Sequence, residues 1–290
     1  MAQQLLPRWR SLLYVPANNP KFVAKAGQRG ADGVILDLED GVPPDGKEVA
    51  RQAAAQAIPM LVDAGVDALV RINAPLRLAV RDLEAVVQNG LKALLLTKTE
   101  DPGALAPLDN AVAELEAERG LPIGGISFIP MIESPAALFK APAIAAACPR
   151  NVALLLGGED FATEAGMTPG PDTLMGPKLT LALAAKSAGL LALGILDTVA
   201  ALSADEAVEI AKKSARFGFD ASTCVHPSMV PVLNAAFTPS EAEVSLAKRV
   251  ITAMEAGFAQ GLGAVRLEGR MIDMPVYRRA QLTVRRAQPR

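Results

Sequence analysis

Eight short apolar runs, separated by stretches with a helical period, leave this sequence few folds to choose from. The runs are SLLYVP (11–16), GVILDL (33–38), ALVRIN (68–73), ALLLTK (93–98), ISFIPMIE (126–133), VALLLG (152–157), LLALGIL (190–196) and FDASTCV (219–225). They are continuously apolar rather than alternating, which implies burial on both faces, the environment of a parallel sheet. Between them, AVAELEAER, MGPKLTLALAAKSAG and SADEAVEIAKKSARFG carry the spacing of helices. Eight strand–helix units over roughly 250 residues predict an α/β architecture, the (β/α)8 TIM barrel, here spanning 1–262. The open doubly wound alternative needs a nucleotide-binding glycine turn after its first strand. The sequence there is VPANNPK, and LLLGGEDFATEAG lacks the G-x-G-x-x-G spacing. Residues 263–290 carry Met271, Ile272 and Met274 around Asp273 and read as a C-terminal lid segment with no further strand to pair.

The core has to be aliphatic, because the chain is 51% hydrophobic but only 4% aromatic, as in layered α/β interiors. A formal net charge of −2, with Lys and Arg dispersed except in the tail YRRAQLTVRRAQPR, offers nothing like the basic stripe of a nucleic-acid binder. Cys148 and Cys224 lie far apart without metal-ligand spacing, and two thiols make no disulfide framework, so a reducing cytoplasm is the expected setting. Arg8 and Arg10 interrupt the apolar N-terminal part, and charge or Pro breaks every longer apolar run, so neither a signal peptide nor a membrane span is expected. The single histidine, His226, leaves His-rich zinc sites and two-histidine relays without their residues.

Carboxylates must then carry the chemistry. In such a barrel the C-terminal ends of the strands form the rim where ligands bind. Polar residues closing the apolar runs are Asp37, Glu39, Asp40, Arg71, Asn73, Lys98, Glu133, Asp160 and Asp197. Any one could cap the next helix or lie in solvent, and for Asp37 or Asp197 alone that is the expected role. Glu133 and Asp160 close consecutive runs and so take neighbouring rim positions, where two carboxylates repel unless a cation lies between them. Oxygen ligands without His or Cys point to Mg²⁺, with Mn²⁺ possible; helix capping is the competing reading. Arg71 and Lys98 also close neighbouring runs, and a guanidinium there suits a substrate carboxylate or an oxyanion. The alternative is that Arg71 simply pairs with Glu39 or Asp40.

Taken in order, RSLLYVPANNPK, ADGVILDLEDGV, VRIN, LLLTKTE, MIESPAAL, LLLGGEDFATEAG, FGFDASTCVHP and EGRMIDMPV resemble the citrate lyase β-subunit-like CoA-ester lyases, malyl-CoA and citramalyl-CoA lyases among them, within the metal-dependent 2-oxoacid aldolases. The resemblance implies the same barrel, assembled as a homotrimer or hexamer. It implies metal ligation by Glu133 and Asp160, a carboxylate and oxyanion partner in Arg71, and Asp273 on a lid that closes over a neighbouring subunit's barrel. Substrate contacts would come from Lys98, Gly158 and Glu159 as well as Arg71, and coenzyme A contacts from Tyr14, Lys21 and Lys25, because Asn19 stands where an Arg is common. Glu39 and Asp40 are expected to orient Arg71 and metal-bound water, and His226 to serve structure or gating.

The implied reaction is Mg²⁺-dependent cleavage or formation of a small 3-hydroxyacyl-CoA, giving acetyl-CoA and a 2-oxoacid. A citrate lyase β subunit acting on a carrier-protein-bound citryl group and an aldolase of free 2-oxoacids are the alternatives. A non-catalytic binding protein has no use for the full set of carboxylates, Arg and lid. Three departures bear on the substrate rather than the reaction class: RINAPLRLAV lacks the Gly-Thr or Asp-Thr common after R-[IV]-N, Thr97 stands where Pro is usual, and STCVHP replaces a Gly-Lys-containing approach to His-Pro.

Overall fold

The computed structural model describes residues 6–197 and 204–288. The first five residues, the start of SADEAVEIAKKSARFG and the end of the basic tail lie outside them. Two compact units divide the chain, Met1–Asn234 and Ala235–Arg290. The sequence reading drew its boundary at 262/263; the long helix between the two positions accounts for the difference.

In the first unit the strands are β1 (Ser11–Pro16), β2 (Gly33–Asp37), β3 (Asp67–Ile72), β4 (Leu91–Leu96), β5 (Ser127–Ile132), β6 (Ala153–Leu156), β7 (Leu191–Leu193) and β8 (Ser222–Cys224). They form one parallel sheet in the order 7-6-5-4-3-2-1-8. The two ends meet through the single parallel bridge Leu193↔Ala221, with Gly194 N–H donating to Ala221 O at 2.9 Å and Asp220 N–H to Ala192 O at 2.9 Å. The result is a nearly closed barrel. Around it run α1 (Pro20–Ala26), α2 (Lys47–Asp63), α3 (Leu76–Val86), α4 (Leu105–Glu118), α5 (Pro135–Ala146), α6 (Gly158–Glu164), α7 (Pro171–Ser187), α8 (Ala204–Arg216) and α9 (Met229–Ala236).

Local chemistry sets the strand-to-helix turns. Ser134 caps α5, its Oγ accepting the Ala137 N–H at 3.1 Å, and Pro135 supplies a first helical residue with φ already fixed. Asn19 and Pro20 do the same for α1. Inside the barrel Leu12, Ile35, Leu69, Met131 and Leu155 pack over Trp9, while Leu13, Val34, Leu36, Val70 and Leu154 are buried on the outer face. Burial on both faces is why the runs do not alternate, and each fully buried Leu or Ile contributes about 1.5–3 kcal/mol. Side chains two residues apart share a face of a strand. One step above the inner layer come Tyr14, Asp37, Arg71, Glu133 and Gly157, so the rim set continues the columns of the core.

The second unit contains α10 (Glu241–Ala259), β9 (Val265–Leu267), β10 (Arg270–Ile272) and α11 (Met274–Arg286). Ser240 and Glu243 cap α10 reciprocally, and Ala247, Val250, Met254, Ile272 and Ala280 form a core of its own. This corrects the expectation of a tail without strands: β9 and β10 pair antiparallel as a hairpin, Arg270 opposite Leu267. Among the described residues no helix is long and apolar enough to cross a membrane.

Candidate active site

A cavity of about 650 Å³ opens at the C-terminal ends of the strands. On one side stands Arg71. β2 and β3 pair with Asp37 opposite Arg71, which places the two side chains next to each other. Arg71 Nε and Nη2 donate to Asp37 Oδ1 and Oδ2 at 2.6 and 2.7 Å, a bidentate fork, and Nη1 lies 3.0 Å from Glu39 Oε2. The guanidinium sits 5.1 Å from the Tyr14 ring centroid. Burial works against its charge, but the hydrogen bonds and charge of Asp37 outweigh it and hold Arg71 above its ordinary value. Three of its five N–H donors are spent on Asp37 and Glu39, leaving two for an oxyanion.

The loop after β2 is braced from outside the cavity. Asn73 Nδ2 donates to Leu38 O at 2.9 Å and to Asp82 Oδ2 at 2.7 Å, and Arg51 Nε donates to Asp82 Oδ1 at 2.7 Å. Lys47 Nζ adds bonds of 2.7 Å to Leu38 O and Glu39 O. Asn73 is therefore a strut of the rim and not a ligand contact. Asp37, which alone read as a cap, is the main partner of Arg71. The sequence signal was available: Asp37 lies two residues above buried Ile35, on the same inward face.

The opposite wall of the cavity is built on β5 and β6. Glu133 is 4% exposed, and its Oε2 accepts the Lys98 N–H at 2.7 Å. Lys98 has a φ of 50°, uncommon for a residue with a side chain. Its Nζ reaches Glu39 Oε1 at 3.1 Å. Burial first, then the charges of Asp160 and Glu39, push the Glu133 carboxyl up to about 7. Asp160, half-buried in the first turn of α6, has no ion-pair partner among the described residues.

The Asp160 charge disfavours charge on Glu133, and although no three His, Cys, Asp or Glu side chains cluster among the described residues, two carboxylates fit a divalent cation that keeps water or substrate in its other positions. Gly157 is part of the fit: a Cβ there would lie 2.5 Å from Glu133 Oε1 and 2.7 Å from its Cγ. Gly157→Ala has an ordinary φ of −74° to occupy, so its effect is steric displacement of Glu133. Metal affinity, read by Mn²⁺ binding, should fall about 10–100-fold, the range seen when a ligand loses its support; an unchanged affinity would count against Glu133 as a ligand.

Of the other sequence-predicted residues, Tyr14, Gly158 and Glu159 line the cavity. Asp40 is exposed, and its backbone N–H donates to Glu39 Oε2 at 3.0 Å. Lys21 and Lys25 are exposed on α1, whose cavity-lining residues are Phe22 and Ala26, followed by Arg29 in the loop beyond. His226 lines the wall with Nδ1 2.7 Å from Ser228 Oγ. Asp273, in the second unit, caps α11 by accepting the Val276 N–H at 3.2 Å. Lys178 was missed altogether: 4% exposed, it lines the cavity from α7. Its spacing from Leu174, Leu181 and Ala185 already puts it on the buried face of that helix.

A parallel barrel whose rim joins a clamped arginine to paired carboxylates defines a class of enzyme, and comparison with known proteins gives the family. The profile of HpcH/HpaI aldolase/citrate lyase matches residues 10–227. Citrate lyase subunit beta of Escherichia coli K12 is 32% identical over 284 residues, 96% of this chain and 93% of that protein. L-malyl-CoA/beta-methylmalyl-CoA lyase of Rhodobacter capsulatus is 30% identical over 303 residues, 96% and 94% of the two chains. The crystal structure of CitE from Mycobacterium tuberculosis in complex with magnesium, acetoacetate and coenzyme A superimposes with a TM-score of 0.73 at 32% identity, covering 96% of this chain and 97% of that one. The chain belongs to the HpcH/HpaI aldolase/citrate lyase family and is a carbon–carbon lyase.

Proposed function

We propose that this chain is a Mg²⁺-dependent lyase for a small 3-hydroxyacyl-CoA such as malyl-CoA or citramalyl-CoA, releasing acetyl-CoA and a 2-oxoacid. The observation that carries the reading is the meeting, in one cavity, of Arg71 and its partner Asp37 with the Glu133 and Asp160 carboxylates. The ligands in the Mycobacterium tuberculosis CitE complex and the name of the Rhodobacter capsulatus relative support the substrate class.

Magnesium held by Glu133 and Asp160 would supply Lewis acidity to the oxygens of the 2-oxoacid part. Arg71 offers its two remaining donors to the thioester enolate oxygen or a substrate carboxylate, and Asp37 and Glu39 keep that fork from turning away. Tyr14 supports the guanidinium from below, and its own phenol is held neutral by burial. Lys98 braces Glu39 through Nζ and Glu133 through its backbone, so it couples the two halves of the site. Asp273 is assigned to the proton exchanged at the acetyl carbon, on a lid shared between subunits of a homotrimer or hexamer.

Turnover of a panel of hydroxyacyl-CoA thioesters, with and without chelator and followed by 2-oxoacid release, tests the reading. Activity should vanish with chelator and return with Mg²⁺. Turnover confined to a carrier-bound citryl group would identify a citrate lyase subunit instead, and turnover of unesterified hydroxy acids a free-acid aldolase. Asp273→Asn should abolish turnover while leaving Mn²⁺ binding and thermal stability near wild type, because Asn caps a helix as well as Asp does. An active Asp273→Asn enzyme reduces that residue to its capping role.

A further inference from the structure

Lys178 is a buried cation to which the reaction above gives no task. It lies in the middle of α7, on the face that also buries Leu174 and Leu181, where an aliphatic residue would pack without desolvating a charge. Its Nζ donates to Ile195 O at 2.7 Å and to Asp197 O. Both carbonyls belong to the segment that leaves β7 for the rim. The same side chain runs beside the start of α6: a Cβ on Gly158 would stand 3.7 Å from Lys178 Cε, 3.8 Å from its Nζ and 3.3 Å from Leu174 Cδ1.

The Lys178 side chain thus binds the segment after β7 and passes beside the first residue of α6, two residues ahead of Asp160. Burial pulls it down to about 8, while the charges of Asp197 and Glu159 oppose the fall, so it is cationic at neutral pH. Removing it would take one hydrogen bond from each of two carbonyls of that segment and a neighbour from the α6 turn.

We propose that Lys178 is a positioning residue, whose ammonium locks the segment after β7 against the first turn of α6 and so fixes the direction in which Asp160 meets the metal. The inference rests on the metal reading above, and the experiment separates the two. Mn²⁺ binding to the purified protein, followed by electron paramagnetic resonance, is measured for wild type, Asp160→Asn, Lys178→Met and Lys178→Arg, with thermal unfolding recorded for each. Wild type should bind and Asp160→Asn should not. Lys178→Met should bind about 10–100-fold more weakly, as when a ligand loses its support, with kcat reduced more than KM for the thioester changes. Lys178→Arg, which keeps charge and donors, should recover most of the affinity. Equal binding by wild type and Asp160→Asn overturns the metal reading and this inference with it. Normal Mn²⁺ affinity in Lys178→Met, with or without a lower melting temperature, overturns only the role of Lys178. Should Lys178→Met lose its cooperative unfolding transition, Lys178→Gln carries the test, and wild-type affinity in that variant overturns the proposal.

Discussion

Glu133→Gln is expected to abolish Mg²⁺-dependent turnover while leaving the metal-free chain at least as stable as wild type at pH 7. On the proposed metal site the first half follows from losing one of two carboxylate ligands, and with it several kcal/mol of charge stabilisation, equivalent to a loss of about 10³-fold or more. The second follows from linkage. In the folded chain the Glu133 carboxyl is raised from 4.5 to about 7, so between those values the folded state holds a proton that the unfolded state has released. Stability of the metal-free wild type therefore falls as pH rises through that window, by about 3 kcal/mol, the difference of 2.5 multiplied by 1.36. Glutamine does not titrate, so this step should be missing from the variant, and its amide oxygen can still accept from Lys98 N–H. Urea unfolding in chelator across pH 4 to 8 compares the two curves; robust Mg²⁺-dependent turnover by Glu133→Gln would end the assignment.

Arg71→Lys should lose about 10²–10³-fold in kcat/KM although the charge is kept. The bonds of 2.6 and 2.7 Å to Asp37 need a planar fork, and a lysine ammonium cannot span Asp37, Glu39 and a substrate oxygen together. Activity within a few-fold of wild type would remove Arg71 from the chemistry. Arg71→Met asks a separate question of the same residue. It leaves Asp37, 3% exposed, as a buried carboxylate without its cation, and removing one partner of such a pair costs about 3–5 kcal/mol. Chemical denaturation should show that loss even where no substrate or metal is present.

Strand positions were legible because burial on both faces writes an unbroken apolar run, and the runs at 11–16 and 68–73 match β1 and β3 to within one residue. Rim residues were legible for a related reason: a charge closing such a run has few places to go except the open end of the barrel. What the sequence could not rank was the partnership among those charges. Strand alternation turns Asp37 inward and sets it apart from exposed Asp40 in VILDLED, but it does not say that Arg71 is the residue Asp37 grips. Pairing depends on strand register, which no local pattern displays. Lys178 escaped because a lysine in a helix is ordinarily solvated, and only its spacing from Leu174 and Leu181 argues otherwise. The β9–β10 hairpin escaped because its two-residue turn is Glu268-Gly269, with φ of 51° and 78°. Such a turn usually announces itself as Asn-Gly or Asp-Gly, and Glu is an unusual residue at its first position.

At the β7–β8 seam the sheet is joined by one bridge, and beyond it the chain is carried by side chains: Lys178 takes the carbonyls of Ile195 and Asp197, and Ser214 Oγ accepts the Leu196 N–H at 2.9 Å. Elsewhere around the ring, neighbouring strands hold each other's backbones, so changing the path of one means shifting a register. Here, among the described residues, Lys178 and Ser214 of the surrounding helices hold the path. With Lys178 kept for the metal side, single substitutions at or around Ser214 can therefore move this arc of the mouth with the remaining strands undisturbed. A lineage exploring new acyl groups could reshape its binding site here without having to rebuild its barrel.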